Sequence, residues 1–398
     1  MGKEDERGFR NVLALGFVSF FTDASTEMCL SMLPVFFVYE LGGGKALLGL
    51  MEGVAEGMSH VLRVFSGALS DRFRRRKPLI LAGYTISNLL KPWLSVARTW
   101  VDAIAIRVGD RIGKGVRTAP RDALLSESVS GRVVGRAFGI HRTLDQAGAI
   151  VGPTLAFLLI PFFGTRGVFL FSIVPGVLAL VVLALFVSEV GQPARKGEGM
   201  LRNVRLVLKG DFVKLLAIVT LFSMGAFNFS FILVRAGELG VPETFIPLVY
   251  AAINVVYTTV AMPAGLLSDR IGREATLLIG YLAFSASAAL LMTLGYGVPN
   301  ALTIAAVYGA YAGIVDTAQR AVLPKYSPPG LRGTAYGVYF LVVGLALLAA
   351  NSIFGALWQT FGMRAASTYS LATSAAASAA LAVFAASRAK PVYTGEGG

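Results

Sequence analysis

Long apolar runs recur along the whole chain, among them GVFLFSIVPGVLALVVLALFV and YFLVVGLALLAANSIFGALW. A run of roughly 20 apolar residues is what a helix needs to cross about 30 Å of hydrocarbon. In that medium each backbone N–H and C=O must bond within its own segment, and a helix satisfies them all. Of the 398 residues, 55% are hydrophobic and only 15% charged, whereas soluble domains carry about 25% charged residues. The expected class is an all-α polytopic membrane protein.

The formal net charge of +13 would suggest nucleic acid in a soluble protein, but its placement argues otherwise. Segments assigned to the outside hold only Lys45, Arg98, Arg166, Arg235 and Arg364. Those assigned to the inside hold Arg72, Arg74, Arg75, Arg76 and Lys77, then Arg195, Lys196, Arg202, Arg205 and Lys209. Cytoplasmic loops of membrane proteins are enriched in Lys and Arg, so the charge is topological and no nucleic-acid partner is expected. Cys29 is the single cysteine, which excludes an intrachain disulfide or a thiolate metal cage. The first apolar stretch is too long for a removable signal peptide and lacks a small-residue cleavage site, so it is expected to remain as a span.

Twelve transmembrane helices are expected, near 11–39, 46–70, 79–97, 100–123, 133–160, 167–188, 211–235, 244–267, 275–295, 299–322, 333–358 and 364–387. An even number places both termini on one side, and the basic loops make that side cytoplasmic. EVGQPARKGEGMLRNVRLVLKG is the longest polar stretch. It divides the chain into a six-helix bundle at 1–188, a cytoplasmic linker at 189–210 and a second bundle at 211–398. The halves repeat: GALSDRFRRR (67–76) returns as GLLSDRIGRE (265–274), 198 positions on. TAPR (118–121) likewise matches TAQR (317–320), and GRAFG (135–139) matches GTAYG (333–337). Two parallel six-helix repeats related by a pseudo-two-fold axis describe one transporter architecture.

On these residues the chain resembles the major facilitator superfamily, whose loop signature is G-x-L-x-D-R-x-G-R-[KR]. The first copy carries Arg74 at the usual glycine, and the second ends in Glu274. The resemblance covers all twelve spans and implies alternating access around a central site. It further implies a cytoplasmic salt-bridge latch: Gly67 and Gly265 for close helix approach, Asp71 and Asp269 opposite Arg72, Arg75, Arg270 and Arg273. Arg117, Asp122 and Arg136 are expected to join it near the same membrane face. Ion pairs made in one state and broken in the other bias a two-state element. In the fifth span, Gly148, Gly152 and Pro153 resemble the GxxxGP antiporter motif of the proton-coupled drug and small-molecule exporters. The segment from Arg111 to Ala119 resembles the fourth-helix motif R-x-x-Q-G-x-G-x-A, whose arginine is associated with proton transfer; here Lys114 replaces the glutamine.

Charges at membrane depth are costly and mark function. Asp23 and Glu27 lie one turn apart, and Glu52, Glu56, His60 and Arg63 form one stripe on the second span. Arg107, Asp110, Arg111 and Lys114 occupy the fourth span, Arg142 and Asp145 the fifth. The second half has only Asp316 and Arg320 beside neutral Asn228, Asn254 and Asn351. Proton coupling is therefore expected at Asp23, Glu27, Glu52, Glu56, Arg107, Asp110, Arg111 and Asp145. Lys91 is expected to snorkel to the interface, and His141 to be solvated near a helix start. The expected function is proton-coupled antiport exporting a small organic molecule, with no cofactor or bound metal. The setting is a prokaryotic cytoplasmic membrane and the working unit a monomer. A divalent-metal exporter using Asp23, Glu27, Glu52, Glu56 and His60, or a proton symporter, is the alternative on the same fold. An enzyme is not expected, because no nucleophile with a base is present.

Overall fold

A computed structural model describes residues 3–73, 75–129, 133–190, 200–327 and 331–387, and every element among them is helical. Helix α1 (Lys3–Leu30) continues through Leu33–Val35 and a wide turn, Phe36–Glu40. Then come α2 (Gly44–Phe73), α3 (Lys77–Leu90, tightening to a 3-10 turn over Lys91–Val96) and α4 (Trp100–Glu127). Val134–Phe171 turns sharply at Gly164, which makes α5 (134–163) and, with Ile173–Phe186, α6 (165–186). After a short helix, Met200–Val207, α7 runs as two pieces, Gly210–Gly225 and Phe229–Glu238. Next are α8 (Ile246–Ile271), α9 (Arg273–Thr293) and α10 (Val298–Tyr326). Arg332–Ala386 turns at Gly362 into α11 (332–361) and α12 (363–386). The face where α1 begins and α12 ends is here the near face; the opposite one is the far face.

The two sharp turns, 198 positions apart, need φ of +65° at Gly164 and +83° at Gly362, a region closed to most side chains. Elsewhere local chemistry sets the breaks. Thr99 and Asp102 form a reciprocal capping box that starts α4. Asn228 caps the second piece of α7 by accepting from the Ser230 N–H at 2.9 Å, while its own N–H donates to Asn351 at 2.8 Å. Asn228 and Asn351 thus close a helix break together.

Seven helical stretches are long and apolar enough to cross a membrane, and two of these, Val134–Phe186 and Thr334–Ala386, contain a glycine turn and so make two passes each. The stretches outside that set are α2, α3 and α4, the helices that carry most of the polar stripe or break at Pro92. They are the polar heart of the first half. In the first half α1 lies on α5 and α6, and α4 on α2 and α3; in the second α8 and α9 flank α10. The halves meet where α2 crosses α11 and α5 crosses α8. A Cβ placed on Gly49 would stand 2.1 Å from the Asn351 carbonyl oxygen, and one on Gly53 2.7 Å from that of Leu348. Gly355 answers from α11, 2.3 Å from the Lys45 carbonyl. Such contact lets two backbones touch across the seam.

Candidate functional site

The seam is closed toward the far face. There Lys45 Nζ lies 2.5 Å from Glu238 and 4.7 Å from the Trp358 ring centre. The Ala46 N–H donates to Gln359 at 2.8 Å, and the Thr165 hydroxyl to Glu243 at 2.6 Å. Toward the near face the charged side chains are wet: Arg142 is 49% exposed, Asp316 37% and Arg320 56%. These exposed charges bridge the halves on the near face, whereas the far-face contacts are drier.

Two ion pairs join α2 to α4, the first buried and the second partly exposed at its acid. Arg107 Nη2 donates to Glu52 at 2.7 Å, with side chains 1% and 0% exposed. Arg111 Nη2 holds Glu56 at 2.9 Å. Ser230, from the other half, donates to Glu52 at 3.1 Å, so this stripe of α4 faces the seam. Asp110 turns toward α3, accepting from Ser87 at 2.5 Å and standing 3.5 Å from Arg107.

A second cluster joins α1 to α5. Gly148 and Gly152 sit over the backbone of α1, where a Cβ would come within 2.3 Å of the Phe20 oxygen and 2.6 Å of the Ala24 oxygen. That approach brings the Asp145 carboxyl beside that of Asp23. A hydrogen bond between two carboxyl groups requires a proton on one of them. Asp145 also holds Arg142 at 2.9 Å, and Arg142 reaches across the seam to Tyr257 at 2.6 Å. The Tyr257 hydroxyl donates to Asp316 at 2.8 Å, and Asp316 receives Arg320 at 2.9 Å. Higher in the seam Tyr250 donates to Glu27, and Asn254 to the Ala149 carbonyl at 3.2 Å.

Several expected placements change. Lys91 does not snorkel: it is 3% exposed and donates to Thr26 at 2.7 Å and Asn88 at 3.0 Å. The α3 break at Pro92 folds its stem inward. His141 is buried at 4% rather than solvated. Arg117 is buried too, stacked on Tyr84 at 4.4 Å inside the first half. His60 Nδ1 bonds the Glu56 carbonyl of its own helix at 2.8 Å, and among the described residues no three His, Cys, Asp or Glu side chains converge as metal ligands.

Of the latch residues, Asp71 and Arg72 have side chains outside the described set. Asp269 and Arg270 are exposed on the near face, Arg273 is half-buried and Arg75 exposed; none makes an ion pair among the described residues. Asp122 pairs with Arg121 at 2.8 Å, and Arg136 lies over Phe9 at 5.5 Å. Gly67 faces Ala119 at 3.3 Å and Gly265 faces Thr317 at 3.7 Å, so both glycines seat helices within their own half. Glu274 takes Lys325 at 2.6 Å. Sequence reasoning passed over Ser230 and Tyr250, which are neutral, named Tyr257 only among aromatics that could line a cavity, and missed the four-residue glycine spacing 49, 53 and 57 on α2, which was there to be read.

The sequence pattern describing the Major Facilitator Superfamily matches residues 15–234 and again 213–397. An uncharacterized MFS-type transporter of Methanocaldococcus jannaschii is 34% identical over 369 residues, covering 90% of each chain. The multidrug resistance protein MdtH of Aeromonas hydrophila is 27% identical over 336 residues, covering 79% of each. Among solved structures, a POT family transporter in complex with 5-aminolevulinic acid superposes with a TM-score of 0.79 at 14% identity, over 95% of this chain and 96% of the other.

Proposed function

From the premise that this chain belongs to the major facilitator superfamily and is a membrane transporter rather than an enzyme, we propose that it exports a small organic molecule in exchange for protons. The observation that carries this reading is the Asp23–Asp145 carboxyl pair, set in the seam between halves and tied through Arg142 to Tyr257 and Asp316. Two like charges that close cannot both persist unscreened. Loss of the shared proton makes the pair repel and changes the hold of Asp145 on Arg142, the arginine that bridges to the other half. Proton occupancy and the relation of the two halves are thereby linked, which is the requirement for coupled alternating access.

The near face is the cytoplasmic one on this reading, since the basic loops lie there. The chain works as a monomer in a prokaryotic cytoplasmic membrane. Asp269, Arg270, Arg273 and Arg75 stand ready to pair, with Asp71, Arg72, Asp122 and Arg136, once the near face closes. Export is supported by the GxxxGP segment on α5 and by relatives named multidrug resistance proteins. The metal-exporter alternative has less support, because Glu52 and Glu56 are held by arginines and His60 by its own backbone.

The test is transport in proteoliposomes under an imposed pH gradient, with aryl acids, amines and neutral amphiphiles as cargo. Wild-type protein is expected to move at least one class against the proton gradient. Asp145→Asn is expected to abolish gradient-driven movement while leaving gradient-free counterflow. Movement indifferent to the gradient in the wild type would overturn the coupling.

A further inference from the structure

The acids of the seam all have partners among the described residues: Glu52, Glu56, Asp145 and Asp316 hold arginines, Glu27 a tyrosine hydroxyl and Asp23 the Asp145 carboxyl. The cations do not all have partners. Lys114, one turn from Arg111 on the seam-facing stripe of α4, lies within electrostatic reach of Glu56, Asp23 and Glu27. Yet its ammonium has no acceptor within 3.5 Å and no carboxylate within 4.0 Å among the described residues. Arg111 is only 4% exposed, gives Nη2 to Glu56 and leaves its buried Nε without any partner.

An ammonium offers three donors and a guanidinium five. Side by side at membrane depth, with the neighbouring acids already engaged, their free N–H groups select an oxyanion. Glu27, within electrostatic reach of both cations, accepts from Tyr250 of the second half, and the Phe229 ring stacks on Tyr250, 4.5 Å between centres. An aromatic ring beside convergent polar groups can take the apolar body of an amphipathic ligand.

We infer that Lys114 and Arg111 form the subsite for the anionic group of the transported molecule, an organic acid whose apolar part lies against Phe229 and Tyr250. This rests on the transport reading above and narrows its cargo to carboxylates or phosphate monoesters.

Equilibrium titration of the full chain in phosphatidylcholine nanodiscs, with no pH gradient, tests it. The probes are 1-naphthylacetate, 1-naphthyl phosphate, 1-naphthylethylamine and inorganic phosphate. At least one naphthyl acid is expected to bind, and the tighter of the two identifies the oxyanion. Lys114→Gln is expected to weaken that acid about tenfold or more, the loss of one charge-assisted hydrogen bond. Lys114→Arg, which keeps the charge, should retain binding within a few-fold and serves as the folding control. Phe229→Ala should weaken the naphthyl acid without creating affinity for inorganic phosphate. Binding of neither acid, preference for the amine, equal binding of inorganic phosphate, or Lys114→Gln binding like the wild type would each overturn the assignment. Because no gradient enters, failure of the acid subsite leaves proton coupling standing, and failure of coupling in liposomes leaves the subsite standing.

Discussion

Arg107 and Glu52 sit at 1% and 0% exposure, with Ser230 reaching Glu52 across the seam. Removing one partner strands a buried charge, so Arg107→Gln is expected to destabilise the protein by about 3–5 kcal/mol. The double variant Arg107→Gln with Glu52→Gln should recover most of that, because matched neutral groups leave no buried ion. Thermal unfolding in detergent reads both. At this scale much of the site could be read from spacing alone: acids at 52 and 56 and arginines at 107 and 111 are stripes with the same four-residue step, and they meet rung by rung. Lys91 and His141 could not be read so. Whether a basic side chain reaches water depends on what lies beside it, and Thr26, which takes the Lys91 ammonium, lies 65 positions away in sequence.

Helix α2 meets α11 through glycine, so the far face closes only while the two backbones touch. A valine at Gly53 would place its Cβ 2.7 Å from the Leu348 oxygen, with further carbons beyond. Overpacking of this kind is expected to bias the molecule against the closed far face by about 1–3 kcal/mol. The readout is disulfide formation between cysteines placed at Ala46 and Gln359, whose backbone N–H and side chain are 2.8 Å apart, in a Cys29→Ala background. Gly53→Val should slow cross-linking while leaving the second half's unfolding unchanged. The element count follows from apolar length, but the polar helices α2 and α4 do not meet that criterion. Their place among the spans follows from topology and repetition, since their charges are satisfied by one another. The break in α7 was equally hidden, because it depends on Asn351 arriving from α11.

Across the whole molecule the repeat extends from sequence into contacts. Arg76 clasps Glu127 at 2.7 and 2.5 Å at the near-face end of α4. The positions 198 residues on, Glu274 and Lys325, pair at 2.6 Å in the second half with the signs exchanged. Gly67 of α2 with Ala119 of α4 and Gly265 of α8 with Thr317 of α10 keep the same offset, so each half seats its second helix, α2 or α8, on α4 or α10 in the same way. Arg76→Glu is expected to lose about 1.5–3 kcal/mol, the value of a charge-assisted hydrogen bond, and adding Glu127→Arg should restore most of it. Melting temperature and yield of folded protein in the membrane fraction check the cycle. The exchange of signs also bears on how the chain assembles. The halves are similar enough that a hairpin from one could dock onto the other during synthesis. Arg76 would then meet Lys325, and Glu274 would meet Glu127, like charge against like. The inverted clasp thus acts as an address, returning each duplicated hairpin to its own half.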